Sequence, residues 1–225
     1  MGEDGGAEGG VRDDRVRDMR RSYERAGLDE VDLAPDWVTQ LRRWVDDAVA
    51  ADLNEPNWMV LATADGRGRP SARCVLLKGY DERGLVLFTN YESRKGVEAT
   101  ENPYASLVIP WVPLQRQVIV VGAVERTSAA EADDYFAVRP HGSQLGAAAS
   151  PQSTVVTSRA ELDARWATLG AQYPEGTPVP RPDFWGGLRV VPESVEFWQG
   201  RRDRLHDRLR YRREAGGWVV ERLAP

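Results

Sequence analysis

Four stretches of this 225-residue chain place cations, hydroxyls and titratable rings at spacings that a purely structural segment does not require. In Arg73-Cys74-Val75-Leu76-Leu77-Lys78 an apolar run carries a cation at each end. Positions five apart fall on opposite faces of a regular strand. Arg73 and Lys78 can therefore share a site only at a rim, an interface or a bulge; otherwise they mark a strand's exposed ends. In Ser93-Arg94-Lys95-Gly96 adjacent cations stand where a strand gives way to a helix. Free N–H groups and the helix dipole suit a phosphate there, although a solvated turn has the same composition. In Tyr135-Phe136-Ala137-Val138-Arg139-Pro140-His141-Gly142-Ser143-Gln144, Tyr135 and Arg139 share a helical face. Pro140 ends that helix at Arg139, and Ser143 could cap the next short one. Tyr, Arg and Ser would then converge as a phosphate grip; a plain helix end with a cap is the alternative. In the fourth stretch, 197–208, a strand would turn Arg204, His206 and Arg208 one way and Leu205, Asp207 and Leu209 the other. That face is either functional or simply solvated.

These residues make several separated phosphate-capable positions, with no catalytic triad, metal cluster or obvious nucleophile. Such a chain suits a protein that holds a phosphorylated cofactor and leaves the chemistry to it.

The elements that must position them are mainly strands. A helical pattern opens at Pro35, with Trp37, Leu41, Trp44, Val45, Ala48 and Val49 at helical spacing, and closes by Pro56. Strand patterns follow at 58–64, 71–80, 85–90, 105–111 and 117–125, linked by short turns that imply antiparallel pairing. Helices are expected at roughly 128–138 and 159–172, with a Gly-, Ala- and Ser-rich loop between them. Residues 174–183 carry four prolines and read as a stiff connector. Strand patterns return to the end of the chain, around a turn at Gly216-Gly217. The expectation is six or seven strands in an antiparallel barrel with peripheral helices, a mainly β (α+β) fold. Residues 1–14 read as a disordered tail, 15–28 as a short helix or arm, and 15–225 as one domain. No βαβ alternation, G-x-G-x-x-G or Walker A pattern appears, so side chains must hold any phosphate.

The formal net charge of -5 argues against a general nucleic-acid binder. The seven arginines within 201–213 are interleaved with Asp203 and Asp207, which speaks against a nucleic-acid arm. A single cysteine and two histidines are too few for the common zinc sites, so no metal is expected. No apolar run approaches a membrane span and no secretory signal opens the chain, so the expected location is cytoplasmic.

Taken in order, RCVLLK, SRK, LQRQ (114–117), YFAVRPHGSQLG, Gln152-Ser153, FWGG, EFWQG, RLHDR and the terminal RLAP resemble the pyridoxine/pyridoxamine 5'-phosphate oxidase family. The likeness runs from about residue 20 to the last residue. It implies an FMN-binding split β-barrel and a homodimer with FMN at the subunit interface. Arg73, Lys95, Gln117, Gln152, Ser153, Trp198 and Arg208 would then hold FMN, with Arg94, Val75, Leu76, Phe88 and Thr89 nearby. Lys78, Tyr135, Arg139 and Ser143 would hold the substrate phosphate. Arg204 and His206 would meet the substrate's pyridine side as the catalytic pair, and Arg20 and Tyr23 would close over the site. The implied reaction oxidises pyridoxamine or pyridoxine 5'-phosphate to pyridoxal 5'-phosphate, with oxygen as acceptor and hydrogen peroxide as product. The chain departs from the family at Ala147-Ala148-Ala149, where an aromatic residue is common. A split-barrel flavin or deazaflavin reductase and a non-catalytic FMN or pyridoxal-phosphate binder are the rival readings.

Overall fold

The computed structural model describes Tyr23 and residues 27–225. The expected tail and most of the arm, including Arg20, lie outside the described residues. The first helix, α1 (Trp37–Ala50), begins two residues after the proline that opens its pattern. Asp36 caps it, its carboxylate accepting the Thr39 N–H at 2.7 Å. Trp37, Val38, Leu41, Trp44 and Ala48 form its buried face. Trp44 stands edge-on to Phe197, ring centroids 5.1 Å apart, which fixes the helix against the sheet.

Among the described residues nine strands form one antiparallel sheet, two or three more than expected. They are β1 (Trp58–Ala64), β2 (Pro70–Leu76), β3 (Gly79–Asp81), β4 (Gly84–Asn90), β5 (Tyr104–Trp111), β6 (Arg116–Arg126), β7 (Trp185–Gln199), β8 (Asp207–Glu214) and β9 (Gly217–Arg222). The order is β2-β1-β5-β6-β7-β4-β3, with β8 on β7 and β9 on β8. The sheet branches at β7. One edge pairs with β6, from Gln199 opposite Arg116 to Leu188 opposite Arg126. The other edge pairs with β4 near its start and with β8 near its end. A bulge at Val121/Gly122 accommodates the bend this demands. Alternation in β1 and β5 sends Met59, Leu61, Leu107 and Ile109 into the core.

The expected single strand over 71–80 is two strands. β2 stops at Leu76, and the Leu77 N–H turns aside to the Asn57 carbonyl at 2.8 Å. The break releases Lys78 from strand alternation, so the opposite-face argument does not apply to it.

The remaining α-helices are inserted after β4 and after β6. α2 (Arg94–Glu101) follows β4; α3 (Ala129–Ala137), α4 (His141–Ala149) and α5 (Arg159–Gln172) follow β6. The stretch expected as a loop between the late helices therefore contains α4. Ser143 does not cap it: Pro140 takes the N-cap position, and Ser143 lies in the first turn. Arg139 lies beyond α3, whose C-cap is Val138. Phe136, Leu145, Val179 and Trp185 make a small second core under these helices.

The expected strand through 204–206 is also corrected. Arg202–Arg204 form a 3-10 turn, and Asp203 and Arg204 adopt positive φ of 56° and 62°. Strand β8 begins only at Asp207. Leu205 consequently points to solvent at 70% exposure, and only Leu209 is buried as the alternation required.

Gly96 is required by close approach, because a Cβ there would fall on the Tyr91 backbone carbonyl. Gly96→Ala should lower unfolding free energy by about 2 kcal/mol. Urea denaturation followed by tryptophan fluorescence checks this; an unchanged midpoint would show that α2 can shift freely.

Candidate active site

The first cation group gathers around the start of α2. Ser93 is fully buried and directs its hydroxyl to the Asn90 carbonyl at 2.6 Å. Lys95 Nζ donates to Thr89 Oγ1 at 3.0 Å, to Ser93 Oγ at 3.1 Å and to Gln152 Oε1 at 2.6 Å. Burial, and then the positive charge of Arg73, push the Lys95 pKa down to about 8.

Arg73 is held from behind. Its guanidinium donates to Thr63, Ser71 and the Leu61 carbonyl, and pairs with Glu98 at 3.1 Å. Glu98 is 4% exposed. Burial pushes its pKa up, but hydrogen bonds from Ser71, Thr63, Arg94 and Arg73 prevail and hold it at about 2. Arg94 bonds Glu98 at 2.7 Å while most of its side chain remains exposed. The result is a buried carboxylate that orients two cations, beside a lysine whose charge is only partly matched.

A second cation group faces the same cavity, of about 730 Å³. That volume is within the ordinary range for a small-molecule site. Lys78, Tyr135, Arg139 and Ser143 line it together with Val75, Leu76, Phe88, Thr89, Lys95 and Gln152. Phe88, Tyr135 and Trp185 stack, with centroids 4.0 Å apart for the first pair and 5.5 Å for Phe88 and Trp185. The Arg139 guanidinium lies 4.8 Å from the Trp185 centroid. Its Nη1 is buried and finds no hydrogen-bond partner among the described residues. An unpaired buried donor is costly, so this one suits an incoming anion.

Ten of the predicted positions thus line one cavity. Arg73 and Arg94 stand behind it through Glu98. Ser153 follows Gln152 in a left-handed conformation, φ 72°, and does not line the cavity.

The remaining predicted residues gather elsewhere. Gln117, Trp198 and Arg208 are register partners across β6, β7 and β8. Arg208 is clamped by Glu196 at 2.7 and 3.0 Å. The His206 ring lies 4.6 Å from Trp198 and 5.6 Å from Tyr23. Its Nδ1 accepts the Arg201 backbone N–H at 3.0 Å, so the neutral ring carries its proton on Nε2. Burial, then the Arg204 charge, lower the His206 pKa; Asp207 opposes them. Arg204 and His206 come together through the turn rather than by strand alternation. None of this second group lines the cavity. Trp185 and Trp198 lie at the two ends of β7, and at ~3.3 Å per residue the path along that strand between them is roughly 40 Å at most. Within one chain the predicted residues fall into two separate groups.

Residues 45–182 match the family model for pyridoxamine 5'-phosphate oxidase. The chain belongs to this family. Residues 185–225 match the pyridoxine 5'-phosphate oxidase C-terminal dimerisation region. A pyridoxine/pyridoxamine 5'-phosphate oxidase of Frankia alni is 60% identical, covering 92% of this chain and 88% of that protein. One of Salinispora arenicola is 60% identical, with 92% and 95% covered. Among solved structures, PhzG from Burkholderia lata 383, in complex with tetrahydrophenazine-1-carboxylic acid, is 34% identical with a TM-score of 0.84. It covers 91% of this chain and 100% of its own. A pyridoxamine 5'-phosphate oxidase-related, FMN-binding protein of Nostoc punctiforme is 19% identical with a TM-score of 0.66, covering 86% and 99%, and shares the fold.

As a pyridoxamine 5'-phosphate oxidase family member, the chain is an oxidoreductase with a split-barrel fold and FMN as cofactor. The residues present fit that cofactor: the α2 N-terminus and Lys95 offer donors and charge for its phosphate, and Arg73 supports them from behind. Among the described residues no helix is long and apolar enough to cross a membrane.

Sequence reasoning missed Glu98 and Trp185. Glu98 stands four residues after Arg94, at helical spacing that signals an ion pair but not a buried one. Trp185 was visible within FWGG but had no assigned role.

A lysine titrating near pH 8 sets a sign. Below that pH Lys95 is charged; above it, binding a phosphate must take up a proton. Phosphate monoesters are already dianionic there. The FMN dissociation constant of the apoprotein should therefore rise about tenfold from pH 7 to pH 9. Flavin fluorescence quenching measures it, and Lys95→Met should flatten the slope.

Proposed function

We propose that this protein oxidises pyridoxamine 5'-phosphate, pyridoxine 5'-phosphate or both to pyridoxal 5'-phosphate, with oxygen as electron acceptor. Alcohol plus oxygen gives aldehyde plus hydrogen peroxide. Amine plus water plus oxygen gives aldehyde, ammonia and hydrogen peroxide. The observation that carries this reading is one cavity faced by two separate cation groups. Lys95, backed by Arg73, serves the FMN phosphate. Lys78, Tyr135, Arg139 and Ser143 serve a second phosphate, that of the substrate.

FMN, when bound, supplies the hydride acceptor and the route to oxygen. The protein's share is binding, orientation and electrostatics. The Arg139 guanidinium, pressed against Trp185 with one Nη unpaired, offers a charge-assisted bond to a phosphate oxygen. Ser143 lies in the first turn of α4 and adds a hydroxyl. Arg204 is the residue we assign to orienting the substrate ring, with His206 Nε2–H as a donor beside it.

We further infer a homodimer in which the second half-site comes from the partner copy. The two halves lie at opposite ends of β7, so one chain cannot close them over one ligand. The match of 185–225 to a dimerisation region supports the same reading. Gln117, Trp198 and Arg208 would complete the FMN site from that side, Ser153 would stay beside Gln152 in the first half, and Tyr23 would cover the substrate, with Arg20 assigned beside it by motif alone.

An aerobic assay of FMN-loaded protein tests the proposal, following pyridoxal 5'-phosphate and peroxide together on each substrate. Equal amounts of both products support it. A yellow protein with no turnover on either substrate overturns it in favour of a reductase or a carrier. Arg139→Met should raise KM by roughly 30-fold, the equivalent of ~2 kcal/mol for a charged hydrogen bond. Arg204→Ala should lower kcat by about tenfold or more at saturating substrate; unchanged turnover would remove Arg204 from its assigned role.

A further inference from the structure

One buried guanidinium joins the two segments that carry the second cation group. Arg189 lies on β7 with its side chain 3% exposed. Its Nη2 donates to Glu131 at 2.6 Å and its Nη1 to Asp81 at 3.3 Å, with Glu125 at 3.6 Å from Nε. Glu131 is in the first turn of α3, one helical turn before Tyr135. Asp81 ends β3, three residues after Lys78. Arg189 therefore fixes, from below, the spacing between Lys78 on one side and Tyr135 and Arg139 on the other.

α3 needs such an anchor. Nine residues do not hold a helix in place by themselves. Its N-terminus is capped by Ser128, whose capping box uses the same Glu131. Arg83 reaches both Asp81 and Glu131 from the solvent side, but its side chain is 64% exposed. Exposed pairs of that kind contribute little. A buried guanidinium with three carboxylates has far less freedom.

We propose that Arg189 is a positioning residue for recognition of the substrate's phosphate. It lines the neighbouring depression with Lys78, Asp81, Glu131 and Tyr135 rather than the cavity itself. It acts on affinity through the spacing it sets, not through contact. This inference rests on the proposed reading of Lys78, Tyr135, Arg139 and Ser143 as a phosphate site.

The test compares FMN-loaded wild-type protein with Arg189→Met, Arg189→Lys and Arg83→Ala. The readouts are kcat and KM for pyridoxamine 5'-phosphate, the inhibition constant of inorganic phosphate, and the FMN dissociation constant. Arg189→Met should raise KM and the phosphate inhibition constant together by about tenfold, with kcat within about twofold and FMN affinity unchanged. Arg189→Lys should recover part of the loss, and Arg83→Ala should leave all four values within about twofold. A folded Arg189→Met protein with unaltered KM and phosphate inhibition overturns the proposal, as does a loss that falls on kcat or FMN binding instead. Should Arg189→Met not fold, Glu131→Gln must raise both constants about threefold, and a folded Glu131→Gln protein without that rise has the same force. Wild-type protein that neither turns over nor responds to phosphate would instead sink the underlying phosphate reading.

Discussion

Strand β7 has to satisfy both of its edges along its length, and most of the architecture follows from that demand. A buried strand with unpaired N–H and C=O groups is costly. Pairing with β6 occupies one edge; β4 and β8 divide the other. No flat sheet can offer two different neighbours on one edge without splitting, so the sheet branches there. The split leaves the β4 end of β7 open to helices α2 to α4. It leaves the β8 end facing outward, with Trp198 and Arg208 in register. The positions of both half-sites are consequences of backbone hydrogen bonding before any side chain is considered.

Electrostatics then sorts the cations into two kinds. Arg73, Arg189 and Arg208 are each met by a carboxylate: Glu98, Glu131 with Asp81, and Glu196. Such arginines are oriented but largely neutralised. Lys95 is surrounded by hydroxyl and amide oxygens, and Arg139 by aromatic rings. Neither has a carboxylate partner among the described residues. Burying a charge without a counter-charge is unfavourable, and the lowered Lys95 pKa registers that cost. Charge left uncompensated in a cavity is what an anionic ligand can complete. The paired arginines instead hold the cavity's shape.

Much of this was legible in the sequence, for identifiable reasons. The strands β1 and β5 were recovered within a residue, and the start of α1, with its period of 3.6, within two, although α1 ends at Ala50 rather than at Pro56. One face of each is buried against the core, and burial is what imposes the period. The pattern failed where backbone conformation rather than burial decided the outcome. Positive φ at Asp203 and Arg204 breaks the alternation through RLHDR, and neither residue type announces it. α4 was hidden in a Gly- and Ala-rich stretch whose small side chains carry a weak amphipathic signal. The cavity-lining residues were found by resemblance and by spacing together. The residues behind them, Glu98 and Arg189, look in sequence like ordinary members of a charged helix and a strand. Only burial distinguishes them, and burial is a property of the fold.

The division of the site also constrains how the protein can work. Residues at opposite ends of one strand cannot approach each other by loop motion, because separating β7 from β6 would break a long run of paired backbone groups. On the proposed reading, closure over a ligand then comes from outside the chain's own barrel. A second copy related by a two-fold axis supplies two complementary halves at once, since an isologous interface repeats every contact. Under that arrangement each half can be rigid, with its cations already oriented, and the ordering cost of binding falls on the ligand rather than on the protein. The clamps on Arg73 and Arg208 fit this logic. They hold orientation in each half separately, as the proposed assembly of two rigid halves requires.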